Sequence, residues 1–147
     1  MAGATHGGEV TLHLSADPTN TGAASLYRAD QGAVRRSVPM VRLDRLLEER
    51  GWDFVDALKI DVEGAEAEVL DGMAGIFARR PPRLLVVELT GGLGSDAPLR
   101  AWQALRRHGY ETYRIAPGGE TRETFGERDA AALNAIVNIA CVPGGVR

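Results

Sequence analysis

Ala57-Leu58-Lys59-Ile60-Asp61-Val62-Glu63-Gly64 is a short, mostly apolar run that ends in an acidic, glycine-closed corner and passes into a segment of helical periodicity. Ala65, Val69, Leu70, Met73, Ile76 and Phe77 fall at helical spacing on one face. Glu66 and Glu68 favour the positive end of such a helix, and Arg79-Arg80 its negative end. The pattern predicts one helix from about 65 to 80, stopped by Pro81-Pro82. Arg83 to Leu89 (RLLVVEL) then reads as a second buried strand. Strand, helix and strand in this order predict that 58–62 and 84–89 lie side by side and parallel.

Working outward, Gly91-Gly92-Leu93-Gly94 is a loop, and Pro98 opens a helix with Leu99, Trp102 and Leu105 inward, ended by Gly109. Tyr110 to Ile115 and Ile136 to Val142 read as two further strands. The segment 116–135 between them reads as loop with a short helix near 128–133. No strong helix separates those last strands, so the ending is expected to be antiparallel. Upstream, Glu9 to Ser15 alternates as a half-buried strand. Val38 to Leu43 is a short extended piece whose Pro39 puts it at an edge, and Asp44 is placed to cap a short helix carrying Leu46 and Leu47. The expected class is α/β, a mostly parallel sheet with an antiparallel C-terminal strand and helices on its faces.

The bulk numbers exclude several classes. The chain has 147 residues, 44% hydrophobic and 25% charged, which fits one soluble domain. A formal charge of −3 gives no pull toward nucleic acid or an anionic membrane. No apolar stretch approaches a membrane span. A single cysteine, Cys141, forms no internal disulfide and points to a reducing, cytoplasmic setting. Of 17 basic residues only Lys59 is lysine, so this position is a candidate for requiring an ammonium.

Ligands of layered α/β sheets bind beyond the carboxyl ends of the strands. Asp61 and Glu63 follow the first central strand, and Glu88 lies near the end of the second. Strand alternation places Lys59 and Asp61 on one face. Charges within a buried strand need an explanation. One reading is a site where Asp61 orients a substrate hydroxyl or takes its proton, with Lys59 as a neighbouring charge. The other is that these residues pair to satisfy burial and Glu63 simply favours the helix start. His6, His13 and His108 lack metal-ligand spacing, His108 reading as a charge at a helix C-terminus. Cys141, Trp52 and Trp102 read as packing residues.

Leu58 to Glu66, continuing through Val69-Leu70-Asp71-Gly72, resembles the central motif of the FkbM-type methyltransferases. The flanks are similar in order: Gly8 to Leu12, then Asn20, Gly22 and Ser25, then Val41 to Leu47, Arg80-Pro81 with Leu84 to Leu89, His108-Gly109-Tyr110 and Asn138 to Pro143. The resemblance implies a partial Rossmann-like class I methyltransferase sheet. It also implies S-adenosylmethionine as cofactor and methyl transfer to a hydroxyl of a sugar, lipid or natural product. Carried onto this sequence, it implies catalytic roles for Asp61, Glu63 and Lys59, cofactor contact at Asp61, and acceptor contacts at Glu88, Asn20 and Ser25, with no resident metal.

The family's Gly-x-Asn-x-Gly cofactor loop has no counterpart here, and Gly91 to Gly94 follows the wrong strand to replace it. The expectation is therefore a single domain over 1–147, truncated at its N-terminal side and inactive alone, completed by a missing half or by homo-oligomerisation. Two other functions stay open. One is a non-catalytic remnant or assembly module, and the other a metal-dependent sugar-nucleotide transferase using Asp61 and Glu63. The partner expected of a methyltransferase is a small-molecule acceptor, with no nucleic acid and no membrane.

Overall fold

A computed structural model describes residues 8–14, 24–25, 34–92 and 96–145. Strands β1 (Gly8–Leu14), β2 (Ala24–Ser25) and β3 (Val34–Met40) form an antiparallel sheet in the order β2-β1-β3. Pro39 sits on β3, an edge strand of that sheet, as a residue without an N–H requires. The strand begins at Val34, four residues earlier than its apolar pattern announces, because Arg35 and Arg36 pair with His13 and Leu12 through backbone.

The remaining elements are α1 (Leu43–Glu49), β4 (Ala57–Ile60), α2 (Glu66–Asp71), α3 (Ala74–Arg79), β5 (Leu84–Thr90), α4 (Ala97–Arg107), β6 (Tyr110–Ile115), β7 (Thr121–Thr124), α5 (Glu127–Ala131) and β8 (Ile136–Pro143). Their strands form a second sheet in the order β4-β5-β8-β6-β7. The β4–β5 pair is parallel, with Lys59 opposite Val86 and Ile60 opposite Val87, as the central stretch predicts. The expectation of a mostly parallel sheet is met only there. β8 inserts antiparallel between β5 and β6, and β7 pairs antiparallel with β6, within a segment read from sequence as loop. β7 escapes the period-2 pattern because Thr121-Arg122-Glu123-Thr124 carries no apolar residue.

One face of this sheet holds the core. Leu85, Val87, Leu89, Ile139, Cys141 and Tyr110 are buried there, with α2 and α4 packed on β5. The Tyr110 hydroxyl donates to the Pro82 carbonyl at 2.6 Å, and burial pushes it up to about 12. Burial likewise pushes the Cys141 thiol up to about 12, consistent with a packing residue. The opposite face, with Leu84, Val86 and Glu88, stays half-exposed, so the helices expected on both sides of the sheet gather on one. Trp102 packs and donates its indole N–H to Thr112 Oγ1 (3.1 Å), whereas Trp52 is 62% exposed and is not a packing residue. His108 stacks on Phe77 with ring centroids 4.0 Å apart. Its burial and the neighbouring Arg107 push its pKa down, which opposes the helix-terminal charge read from sequence. No described helix is long and apolar enough to cross a membrane.

The single helix expected over 65–80 is two helices, α2 and α3, and Asp44 explains the break. Asp44 does not cap α1; it lies in the first turn, 7% exposed. Arg42 donates to it through Nε (3.0 Å) and Nη2 (2.6 Å), and the Arg45 and Gly75 amides add bonds at 2.8 and 3.1 Å. Its own amide donates to the Gly72 carbonyl at 3.4 Å. Asp44 thus engages backbone groups on both sides of the Gly72-Met73 junction, where the helix steps. The Arg42 hydrogen bond, foremost, holds the Asp44 carboxyl below its usual range.

A Cβ at Gly75 would lie 2.9 Å from Asp44 Oδ2. Gly75→Ala is expected to lower stability by about 1–3 kcal/mol through this crowding. Urea denaturation should show a lower midpoint with an unchanged slope.

Candidate functional site

β4 ends at Ile60, which places Asp61 just beyond the carboxyl end of the parallel pair, beside Glu88 on β5. Asp61, Glu63 and Glu88 each present an oxygen, and all three oxygens lie within 4.8 Å of one another. The structure therefore brings together the three carboxylates that the sequence singled out. Lys59 Nζ donates to Asp61 Oδ2 at 2.7 Å. The Asp61 hydrogen bond, and less strongly the charge on Glu88, raises the Lys59 pKa, so Lys59 stays an ammonium and is no base near neutral pH. Asn138 on β8 lies opposite Glu88 and donates Nδ2 to its Oε2 at 3.3 Å.

One premise of the sequence reading changes. β4 lies at the edge of its sheet, and the Lys59 and Asp61 side chains are 57% and 37% exposed. Charges there need no burial argument. A lysine on an edge strand also deters edge-to-edge pairing, a structural use of the lone ammonium beside the chemical one. Along that edge runs a pocket of about 310 Å³ in which Lys59 and Asp61 meet an aliphatic wall that includes Val41, Leu43, Leu46 and Val69.

The turn that carries Glu63 is strained. The Ala65 amide donates to the Val62 carbonyl at 3.4 Å, and the two residues between them, Glu63 and Gly64, have φ of +53° and +102°. This is the mirror-image β-turn, which favours Asn, Asp or Gly at its first central position. A non-glycine residue in the left-handed region costs on the order of 1–2 kcal/mol. Such strain persists where the surroundings over-determine it, often at functional sites.

What over-determines it is Glu66, a residue the site reading from sequence missed. Its side chain is buried at 1% exposure, and its Oε1 accepts the Gly64 amide at 2.9 Å. A hydrogen bond contributes about 0.5–1.5 kcal/mol, comparable with the strain. Burial, foremost, raises the Glu66 pKa, and the Gly64, Glu66 and Val62 backbone groups oppose that rise. The sequence held a signal for it. Glu66 precedes Val69, Leu70 and Met73 by three, four and seven positions, which puts it on the buried stripe, whereas Glu68 lies off it.

Two expected acceptor contacts, Asn20 and the Ser25 side chain, lie outside the described residues. The glycine pair Gly91-Gly92 is already filled by its own chain. A Cβ on Gly91 would meet the Leu133 carbonyl oxygen at 2.3 Å, and Gly92, with φ +81°, would meet that of Asn134 at 2.9 Å. Their amides bond to Ala135 and Leu133. These two glycines serve backbone packing, and no cofactor cradle exists at them.

Comparison with known proteins gives one match. A family model described as the methyltransferase FkbM domain matches residues 2–112, a span that contains the whole acidic site. No curated protein and no solved structure gives a significant match.

The raised pKa of Glu66 has a pH consequence. Between the ordinary glutamate value of 4.5 and its higher folded value, the folded chain binds the extra proton. Stability therefore falls as pH rises through that window. In paired thermal melts across it, wild type is expected to lose stability relative to Glu66→Gln as pH rises; a constant difference would contradict the assignment.

Proposed function

The chain belongs to the FkbM methyltransferase domain family, and we propose that its acidic site is the acceptor side of an S-adenosylmethionine-dependent O-methyltransferase with a Rossmann-like sheet. The observation that carries this reading is the convergence of Asp61, Glu63 and Glu88 within 4.8 Å at the carboxyl end of the parallel pair, with the Lys59 ammonium 2.7 Å from Asp61. S-adenosylmethionine supplies the methyl group in this class of reaction. Gly91-Gly92 do not form its cradle, because the 133–135 backbone closes them.

What these residues do concerns the acceptor. A small molecule brings its hydroxyl to Asp61, which is exposed enough to receive it. The carboxylate orients the hydroxyl and takes its proton as the oxygen is alkylated, while Lys59 holds the carboxylate in one rotamer. A sugar, lipid or natural-product hydroxyl meets this requirement. The open β4 edge beside its aliphatic groove is where cofactor-side strands would join the sheet, and the single cysteine fits a cytoplasmic setting.

Three carboxylate oxygens so close also suit a hard divalent cation, as a metal-dependent sugar-nucleotide transferase would need. Lys59 weighs against that use, because its ammonium already answers Asp61. Manganese titration by calorimetry separates the metal reading, which requires binding that Asp61→Asn abolishes.

The methyl-transfer reading is tested with methyl-labelled S-adenosylmethionine and a panel of hydroxyl acceptors on an assembly of this chain that binds the cofactor, since the chain alone is expected to bind it negligibly and to transfer nothing. Asp61→Asn keeps the side-chain shape and removes the base, so kcat is expected to fall by on the order of 10²–10⁴-fold. An Asp61→Asn chain that turns over at the wild-type rate would end the proposal.

A further inference from the structure

Glu66 takes no part in the acceptor chemistry above, yet it is the most deeply buried acid among the described residues. It lies two residues from the Gly64 amide that it accepts, on the first turn of α2, whose inward face is locked by Val69 and Leu70. Glu63 and Gly64 both hold positive φ while the Gly64 amide points at that buried carboxyl. Glu63 sits between the turn and the carboxylate cluster, so its backbone conformation decides where its own oxygen goes. Asp61 and Glu88 are placed independently by the ends of β4 and β5. Of the three carboxylates, only Glu63 depends on the turn.

We infer that Glu66 is the positioning residue of the acidic site: its buried carboxyl holds the Gly64 amide, keeps Glu63 left-handed and so brings the Glu63 carboxylate to Asp61 and Glu88. The assignment deepens the methyl-transfer reading, and its catalytic consequence rests on it. The carboxyl acts through the turn and touches no substrate. Its requirement is for an acceptor atom at Oε1, so glutamine can replace it and alanine cannot.

The test is made on the whole 147-residue chain by NMR. A left-handed residue gives a strong cross-relaxation peak between its own amide and α protons, because positive φ brings them together. Wild type and Glu66→Gln are expected to show this signature at Glu63, and Glu66→Ala is expected to lose it. A purely structural role would lower the stability of both variants without this division. Should the alanine variant fail to fold, wild type alone still decides. The Gly64 amide proton is expected to shift with the ionisation of Glu66 and to stop doing so in Glu66→Gln.

A Glu63 signature that survives in Glu66→Ala, or a Gly64 amide that ignores pH in wild type, overturns the inference. In the methyl-transfer assay, Glu66→Ala is expected to lower kcat on the order of tenfold to a hundredfold through misplacement of the site, with KM for the methyl donor little changed. Glu66→Gln is expected to restore most of the rate. If the NMR pattern holds while kcat does not move, Glu66 stands as the holder of the turn, and it is the reading of this site as the methyl-transfer centre that falls.

Discussion

A carboxyl group buried in the core must be given hydrogen-bond donors, and at Glu66 that requirement shapes everything around it. A desolvated carboxylate without partners costs several kcal/mol, and a marginally stable domain of this size cannot absorb such a loss. Glu66 Oε1 accepts the Gly64 amide at 2.9 Å, within the Val62–Ala65 turn. In that turn Glu63 is left-handed, and its carboxylate lies with those of Asp61 and Glu88. Asp44, on α1 upstream of β4, repeats the principle against the same crossover, where Arg42, Arg45 and Gly75 donate to a nearly buried carboxylate. One buried acid sets the site, and the other sets the step in the helical layer beside it.

These two acids also mark where the sequence stopped being readable. The strand–helix–strand unit was legible because Ile60, Leu70, Leu85 and Val87 carry its apolar pattern and each is buried as that pattern requires. The break between α2 and α3 was not. Val69, Leu70, Met73, Ile76 and Phe77 keep helical spacing straight across it, and the residue that engages the junction lies about thirty positions upstream. A hydrophobic pattern reports which face is inward and is silent on a polar contact from a distant element. The place of β8 was hidden for a related reason. Its apolar run fits any central position, and only the pairing with both β5 and β6 puts it between them.

At the site, Asp61, Glu63 and Glu88 were legible from the rule that chemistry gathers beyond strand ends, and the backbone delivers them together. Asn138 was harder, being one polar residue in a run of apolar ones whose partner, Glu88, lies fifty residues away. The reason first given for Lys59 and Asp61 was mistaken even though their pairing is real. They were thought to need justification as charges in a buried strand, whereas β4 is an edge and both side chains reach solvent. Burial could not be judged without knowing whether a neighbour strand lay on that side.

The position of the one lysine follows from both facts together. On an edge strand a long cation protects the unpaired backbone from foreign strands, and arginine would serve that purpose as well. Beside three carboxylate oxygens the demand is narrower. Arginine would grip a carboxylate with a planar fork and occupy both its oxygens. The lysine ammonium is a point charge that donates to Oδ2 of Asp61. An ammonium therefore steadies Asp61 while still allowing its other oxygen to meet an acceptor hydroxyl. Under the proposed chemistry, one ammonium among three carboxylates would leave the site net negative and so favour the approach of a cationic methyl donor. As the donor's positive charge would disappear in the reaction, that attraction would weaken, so the negative field would serve binding more than the transfer step. Under the proposed chemistry the rate then depends chiefly on alignment, and alignment is what the Lys59–Asp61 pair and the Glu66-held turn provide.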